Sequence, residues 1–150
     1  MNLSRLLFAA GPVAAAAGLG GLGARRAPEV YARLEKPPWA PPAEAFGPVW
    51  SVLYAAIGFV GWRIFPGIRR VRILHLTQLA LNAAWPVAFF STGNKAASLA
   101  IITALGAVST AEIAHVRRDD PLAAAALAPY LAWIAFAAAL NAAVSRPARP

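Results

Sequence analysis

The sequence predicts an all-α membrane protein: a five-transmembrane-helix bundle with one long, proline-rich first loop and three short loops. The first observation is composition, because 59% of the 150 residues are hydrophobic and only 13% are charged, with a mean hydropathy of +0.56. Soluble domains are far more polar than this. The second observation is that the apolar residues form five runs, each long enough to cross a bilayer as a helix. We expect residues 1–150 to form a single transmembrane domain.

The formal net charge of +8 raises the question of a nucleic-acid partner. The basic residues lie between the apolar runs and form no contiguous stripe, so anchoring at lipid headgroups explains them better. The predicted partner is therefore the lipid bilayer, with no nucleic acid. The chain has no cysteine, which excludes disulfides and thiolate chemistry. No cluster of metal-ligand residues is apparent, and no metal site is predicted.

The first predicted span covers residues 3–23, which are apolar or small except for Ser4 and Arg5. A secretory signal peptide also has a basic region, then an apolar region, then small residues, so a signal peptide is an alternative interpretation of this span. The apolar run is longer than the usual signal-peptide core. This favours a helix that is retained in the membrane.

The long first loop, residues 25–43, ends in a stretch with four prolines between positions 37 and 42. Proline fixes φ near −65° and removes a backbone donor, so this stretch is irregular and stiff at once. Trp39 lies in the middle of it. A rigid loop that carries an aromatic side chain and runs directly into an apolar helix predicts a lid over a cavity. The second span, residues 44–65, follows.

The last three spans are predicted at residues 73–90, 96–116 and 121–144, separated by short polar turns. Short connections make consecutive helices antiparallel neighbours. The orientation of the bundle does not follow from its charges, because seven Lys or Arg residues fall on each side of the membrane. One side carries Arg5, Arg63, Arg69, Arg70, Arg72, Arg117 and Arg118, and the other carries Arg25, Arg26, Arg33, Lys36, Lys95, Arg146 and Arg149.

Three of the predicted helices each place aromatic side chains along one face, and two of them add amide side chains to it. A spacing of three or four residues stacks side chains on the same side of a helix. One interpretation is that the amides join helices and the aromatic rings fill the core. The other is a cavity for a flat, largely apolar ligand with a few polar groups. The residues are Trp50 and Tyr54; His75, Gln78, Asn82 and Trp85; and Tyr130, Trp133 and Asn141.

Apart from Glu44, the first residue of the second span, Glu112 is the only acid inside a predicted span. We expect it to reach the interface or to pair with His115, three residues later. His75 is expected to be a solvated or core histidine rather than a haem ligand. No paired carboxylates, activated nucleophile or phosphate-binding loop is present. Enzymatic activity therefore stays an open question, with binding the simpler hypothesis.

Three collinear motifs carry a resemblance to a known family. They are Lys-Pro-Pro-Trp-Ala-Pro-Pro at residues 36–42 with the aromatic stretch at 47–54, Gln-Leu-Ala-Leu-Asn from residue 78, and Pro-Tyr-Leu-Ala-Trp from residue 129. Together they resemble the tryptophan-rich sensory protein and translocator protein family, also known as peripheral-type benzodiazepine receptors. The resemblance covers about residues 31–141.

The resemblance implies a five-helix bundle, usually a homodimer, whose first loop covers a ligand cavity. The implied ligands are porphyrins (protoporphyrin IX or haem), sterols such as cholesterol, and benzodiazepine or isoquinoline compounds, with no cofactor required. Some members are proposed to degrade porphyrin in light, which would involve Trp39, Trp50 and Trp133. Residues at matching motif positions are Tyr31, Trp39, Trp50, Gln78, Asn82, Phe90 and Trp133; Tyr54 and Trp85 join the expected ligand-binding set from the helical faces.

The chain departs from the family pattern at three positions. Val30 stands where many members have tryptophan, Ala97 stands where animal members have tryptophan, and Ala142 stands where the sterol motif has tyrosine. The leading hypothesis is an integral membrane receptor, sensor or carrier of tetrapyrroles, expected in a bacterial membrane. The alternatives are a light-dependent porphyrin-degrading enzyme and a structural or assembly subunit of a membrane complex.

Overall fold

The computed structural model describes residues 2–145, which form six α-helices. They are α1 (Leu3–Gly23), α2 (Ala27–Arg33), α3 (Phe46–Ile64), α4 (Arg69–Pro86), α5 (Lys95–Asp119) and α6 (Pro121–Ala143). A 3₁₀ turn, Ala43–Ala45, precedes α3, and a π-helical turn, Val87–Ser91, continues α4. Five of these segments are long and apolar enough to cross a membrane. The predicted five-helix class is confirmed.

Helix ends differ from the predicted spans where polar residues prolong a helix. The helix α4 begins at Arg69, four residues before the predicted start, so the basic turn is partly helical. The helix α5 begins at Lys95 because the side chain of Asn94 accepts a hydrogen bond from the Ala97 amide at 2.9 Å. It also continues to Asp119. Charged residues at helix ends can reach the membrane–water interface, so a helix can extend beyond its apolar run.

The first connection contains a short helix, α2, which the sequence analysis treated as irregular. Pro28 lies in its first turn, and Glu29 and Arg33 suit the positive and negative ends of its dipole. The proline-rich stretch starts only after this helix. Stiffness from proline therefore applies to the second half of the connection.

The five long helices close a ring in which α1 packs on α3 and α4, α3 on α6, α6 on α5, and α5 on α4. The expectation that consecutive helices are neighbours is wrong for α3 and α4, which meet only marginally because α1 lies between them. Small residues allow this close approach. A Cβ atom added at Gly61 of α3 would lie 3.2 Å from the Cα atom of Ala9, and one added at Gly20 of α1 would lie 3.9 Å from that of Ala83.

The first connection is fastened to the end of α6. Backbone hydrogen bonds of 3.0 and 3.2 Å join Glu35 and Ser145, and the Ser145 hydroxyl donates to the Glu35 carboxylate at 2.6 Å. Tyr31 and Leu34 pack in a separate apolar cluster with Leu140 and Val144. The connection thus lies over one end of the bundle. Arg146 and Arg149, which entered the charge comparison, lie outside the described residues.

Candidate functional site

A largely apolar cavity of about 290 Å³ lies between the helices beneath the first connection. Its volume is near the lower end of the range for small-molecule sites, about 300–1,000 Å³. Side chains from α1, α2, α3, α4 and α6 line it. Seven of the nine expected ligand-binding residues belong to this lining: Tyr31, Trp50, Tyr54, Asn82, Trp85, Phe90 and Trp133.

Aromatic rings form a continuous wall on the α3–α6 side of the cavity. The rings of Trp50 and Trp133 are nearly perpendicular, at 89°, with centroids 6.4 Å apart. Tyr54 lies 5.5 Å from Trp50, and Phe46 lies 5.8 Å from Trp133. Edge-to-face contacts of this kind fix ring orientation. The wall therefore offers a flat ligand a preformed stacking surface.

A hydrogen-bond chain leads from the cavity wall into the core. The Tyr54 hydroxyl donates to Asn82 Oδ1 at 2.8 Å, and Asn82 Nδ2 donates to the Tyr130 hydroxyl at 3.0 Å. That hydroxyl donates to Gln78 Oε1 at 2.9 Å. Tyr130 and Gln78 are fully buried. Each member donates to the next, so the chain has one direction, from cavity to core.

Two expected residues do not line the cavity. Gln78 lies behind Tyr130, where it serves the hydrogen-bond chain. Trp39 is 50% exposed and packs edge-on against Phe136, at 5.9 Å between centroids, on the outside of the bundle. The prolines around Trp39 set its backbone, but contacts with α6 set the direction of its side chain.

The sequence analysis missed the wall that α1 contributes. Ala17, Gly20, Gly21 and Ala24 line the cavity opposite the aromatic rings, and their small side chains leave the space open. Their spacing on one helical face is a signal in the sequence. Phe46 and Pro86 were missed as well.

The π-helical turn brings Phe90 into the cavity and holds the end of α1. Such turns often occur at functional sites because they rotate the following side chains. The Ser91 hydroxyl donates to the Gly23 carbonyl oxygen at 2.8 Å. A Cβ atom at Gly23 would lie 2.8 Å from the Val87 nitrogen, so only glycine fits there.

A shallow apolar groove runs along the outside of the bundle between α3 and α6. Val52, Pro129 and Phe136 are among its lining residues. Trp133 lines both this groove and the inner cavity. One indole therefore separates the two.

The histidines lie away from the cavity. His75 is fully buried, as expected for a core histidine, and its Nδ1 lies 2.7 Å from Glu112 Oε1. The expected pairing of Glu112 with His115 is wrong, because His115 Nδ1 lies 2.7 Å from the Ala111 carbonyl oxygen instead. The partner of Glu112 is on a neighbouring helix. Within residues 2–145 no group of three or more His, Asp or Glu side chains could hold a metal ion.

Two groups outside the spans have shifted pKa values. Burial raises the pKa of the Tyr31 hydroxyl, which stays protonated and donates to the Pro41 carbonyl oxygen at 2.7 Å. This bond ties α2 to the proline-rich stretch. The hydrogen bond from Arg63 lowers the pKa of the Asp120 carboxyl, with the Ala123 amide adding to the effect.

Comparison with known families identifies the relationship. The model of the TspO/MBR family matches residues 8–146. The chain belongs to the TspO/MBR family. It is therefore an integral membrane protein of that family, as the five apolar helices also indicate.

Relatives in this family come from mammals, archaea and bacteria. The chain is 39% identical over 118 residues to the translocator protein of Bos taurus, covering 74% of this chain and 70% of the relative. It is 40% identical over 118 residues to the tryptophan-rich protein TspO of Archaeoglobus fulgidus, covering 76% of each. It is 32% identical over 121 residues to the tryptophan-rich protein TspO of Chlorobaculum tepidum, covering 74% of each. Because the relatives are so varied, a bacterial membrane stays a prediction.

Proposed function

We propose that this protein is a membrane receptor or carrier that binds tetrapyrroles such as protoporphyrin IX in the cavity beneath the first connection. The observation that carries the proposal is the wall of indole and phenol rings around an apolar space. A planar macrocycle can stack on such rings, each contact contributing about 0.5–1.5 kcal/mol beyond its burial. Sterols and benzodiazepine-like compounds are further candidate ligands of the same space.

The polar groups of the wall support a ligand that carries a few polar substituents. Tyr31, Tyr54 and Asn82 are the polar residues among the lining. Because Tyr54 and Asn82 bond each other, their positions are fixed before a ligand arrives. Neither histidine lines the cavity, so the proposed binding rests on stacking and hydrogen bonds rather than on an iron–imidazole bond.

The test is a titration of purified protein with protoporphyrin IX, followed by the absorbance shift of the porphyrin. We expect saturable binding that weakens roughly tenfold or more in the double variant Trp50→Ala plus Trp133→Ala, since one stacking and one edge-to-face contact are lost. Trp39→Ala plus Trp62→Ala is the matched control, because neither Trp39 nor Trp62 lines the cavity.

Circular dichroism and thermal melting check that both variants fold. Absence of saturable binding to wild type would refute the proposal. If a second protein then co-purified in stoichiometric amount, the assembly-subunit alternative would gain support.

Light-dependent degradation of the bound porphyrin is a second candidate function. It is favoured by the position of Trp50 and Trp133, two oxidisable indoles in contact on one cavity wall. Trp39 does not share this position. Illuminating the complex in air distinguishes the two functions: an enzyme bleaches porphyrin faster than detergent alone does, and Trp50→Phe plus Trp133→Phe slows it. If porphyrin bleaches equally fast with and without protein, the enzymatic function is refuted and binding is the function that remains.

A further inference from the structure

Four buried polar atoms on α4 and α5 have no hydrogen-bond partner among residues 2–145. They are His75 Nε2, Gln78 Nε2, Ser109 Oγ and Glu112 Oε2. His75 and Gln78 are three residues apart on α4, and Ser109 and Glu112 are three apart on α5, so each pair shares a helical face. His75 lies about 10 Å along α4 from the cavity residue Asn82. These atoms mark a polar region that the cavity does not use directly.

The centre of this region is the contact between His75 and Glu112, 2.7 Å long with both side chains fully buried. An isolated charge is very costly in an apolar interior. One proton shared between the two side chains would avoid this cost, because imidazole with carboxylic acid and imidazolium with carboxylate are both neutral overall. Ionisable groups inside a span commonly serve in proton transfer.

Among residues 2–145, the elements around the pair place no further acid beside it, and His115, the neighbouring titratable group on α5, contacts the Ala111 carbonyl oxygen. His75 Nε2 faces Gly61 of α3, where an added Cβ atom would lie 3.0 Å away, and α1 contributes Phe8 and Ala9. The guanidinium groups of Arg5 and Arg72 lie over the rings of Trp62 and Phe65. From α6, the titratable group is the Tyr130 hydroxyl, which is bonded to Gln78. The proton count of the pair therefore determines the charge of this region.

The directed hydrogen-bond chain connects this region to the cavity. It starts at Tyr54 in the cavity wall and ends at Gln78, one turn from His75. Because Gln78 Oε1 accepts from Tyr130, its free amide N–H groups are the end of the chain. Glu112 Oε2 likewise has no partner among the described residues, so the chain ends beside the pair without a direct hydrogen bond to it. A ligand that takes the Tyr54 hydroxyl as its own partner removes the first link.

We propose that His75 and Glu112 form a buried proton-binding site, and that the chain through Gln78, Tyr130, Asn82 and Tyr54 couples its proton occupancy to ligand in the cavity. The coupling rests on the proposed function, whereas the proton site does not. The exchanged proton comes from or goes to the solvent, and only O–H or N–H bonds change.

Calorimetric titration with protoporphyrin IX in two buffers of different ionisation enthalpy measures the protons exchanged on binding. The porphyrin's own groups contribute equally to every variant, so the difference between wild type and Glu112→Gln isolates the site. We expect a difference approaching one proton per site, and a difference of comparable size between wild type and Tyr130→Phe, which cuts the chain. Glu29→Gln, at an exposed acid on α2, is the control and should match wild type. Equal proton numbers in wild type and Glu112→Gln would overturn the coupling.

Infrared pH titration of the ligand-free protein tests the proton site separately. We expect a carboxyl stretching band that changes with pH in wild type. This band should be absent from Glu112→Gln and shifted in His75→Gln. No such band would overturn the site. If protoporphyrin IX does not bind at all, the proposed function and the coupling both fail, and this measurement still decides whether the pair takes up a proton.

Discussion

Asp120 lies where three helices meet, and its carboxylate joins two of them. It begins α6 by accepting a hydrogen bond from the Ala123 amide at 3.0 Å. It also accepts two hydrogen bonds from Arg63 of α3, at 2.7 and 3.0 Å. Asp120 also directly follows Asp119, the last residue of α5. A change of its charge therefore acts on the contact between α3 and α6.

The pH dependence of this contact follows from the lowered pKa of Asp120. A carboxyl whose pKa is lower in the folded than in the unfolded protein adds stability above its ordinary value of 3.8, and that stability is lost as the pH falls through the lowered pKa. Asp120→Asn keeps the helix cap but removes the charge. We expect it to lower the melting temperature by a few degrees at neutral pH, with the difference from wild type shrinking as the pH falls below 3.8.

Thermal melting in detergent at several pH values measures this, with Asp119→Asn as the control because Asp119 makes no ion pair within the described residues. A constant difference between wild type and Asp120→Asn across the pH range would contradict the assignment.

Residues on helices were easier to place from sequence than residues in loops. Helical periodicity fixes a common face, which is why Trp50, Tyr54, Asn82 and Trp85 were found together. Periodicity cannot show how far along a helical face the cavity extends. Gln78, one turn from Asn82, was therefore assigned to the cavity although it lies beyond its end. Nor could the sequence locate the partner of Glu112, since that contact joins two helices and depends on how they pack.

At the scale of elements, the end of α1 packs closely against the π-helical turn. Adding one carbon atom at Gly23 tests how tight this contact is. In Gly23→Ala, the new Cβ atom would lie 2.7 Å from Val87 Cγ2 and 2.8 Å from its backbone nitrogen. Backbone cannot yield as a flexible side chain does, so α1 must shift. We expect a loss of about 1–3 kcal/mol, typical of overpacking.

Gly18→Ala on the same helix is the matched control, because nothing lies within 4 Å of its added Cβ atom. Unfolding in detergent compares the two variants. A Gly23→Ala protein as stable as Gly18→Ala would show that this junction is loose.

The elements themselves were predictable because length and apolar composition define a span. The short helix α2 was missed since it is polar and only seven residues long. The place of α1 between α3 and α4 was missed as well. It follows from Gly61 and Gly20, whose small size matters only once the facing helix is known.

At the scale of the whole molecule, the first connection is restrained before its prolines and at one of them. Glu35 is bonded to Ser145, and Tyr31 is bonded to Pro41. Its role as a lid stays a prediction, as does the homodimer that the family resemblance implies. A restrained connection has little conformational entropy left to lose when a ligand binds.

Replacing Pro37, Pro38, Pro41 and Pro42 with alanine tests the lid. Each freed residue adds up to about 1 kcal/mol of entropy to be lost on closure, so affinity for protoporphyrin IX should fall by about one to two decades. We expect faster dissociation rather than slower association. Stopped-flow dissociation measures this, with Pro66→Ala in the opposite turn as the control. An unchanged rate would make the stretch a connector only.

Trp133 has a consequence for how the protein must be handled. Its indole borders the inner cavity on one side and the outer groove between α3 and α6 on the other. In a bilayer that groove faces acyl chains, so lipid is separated from bound ligand by the thickness of one aromatic ring. The surrounding lipid or detergent thus contacts a side chain that borders the site, and its identity belongs with the ligand's concentration among the variables of any binding measurement.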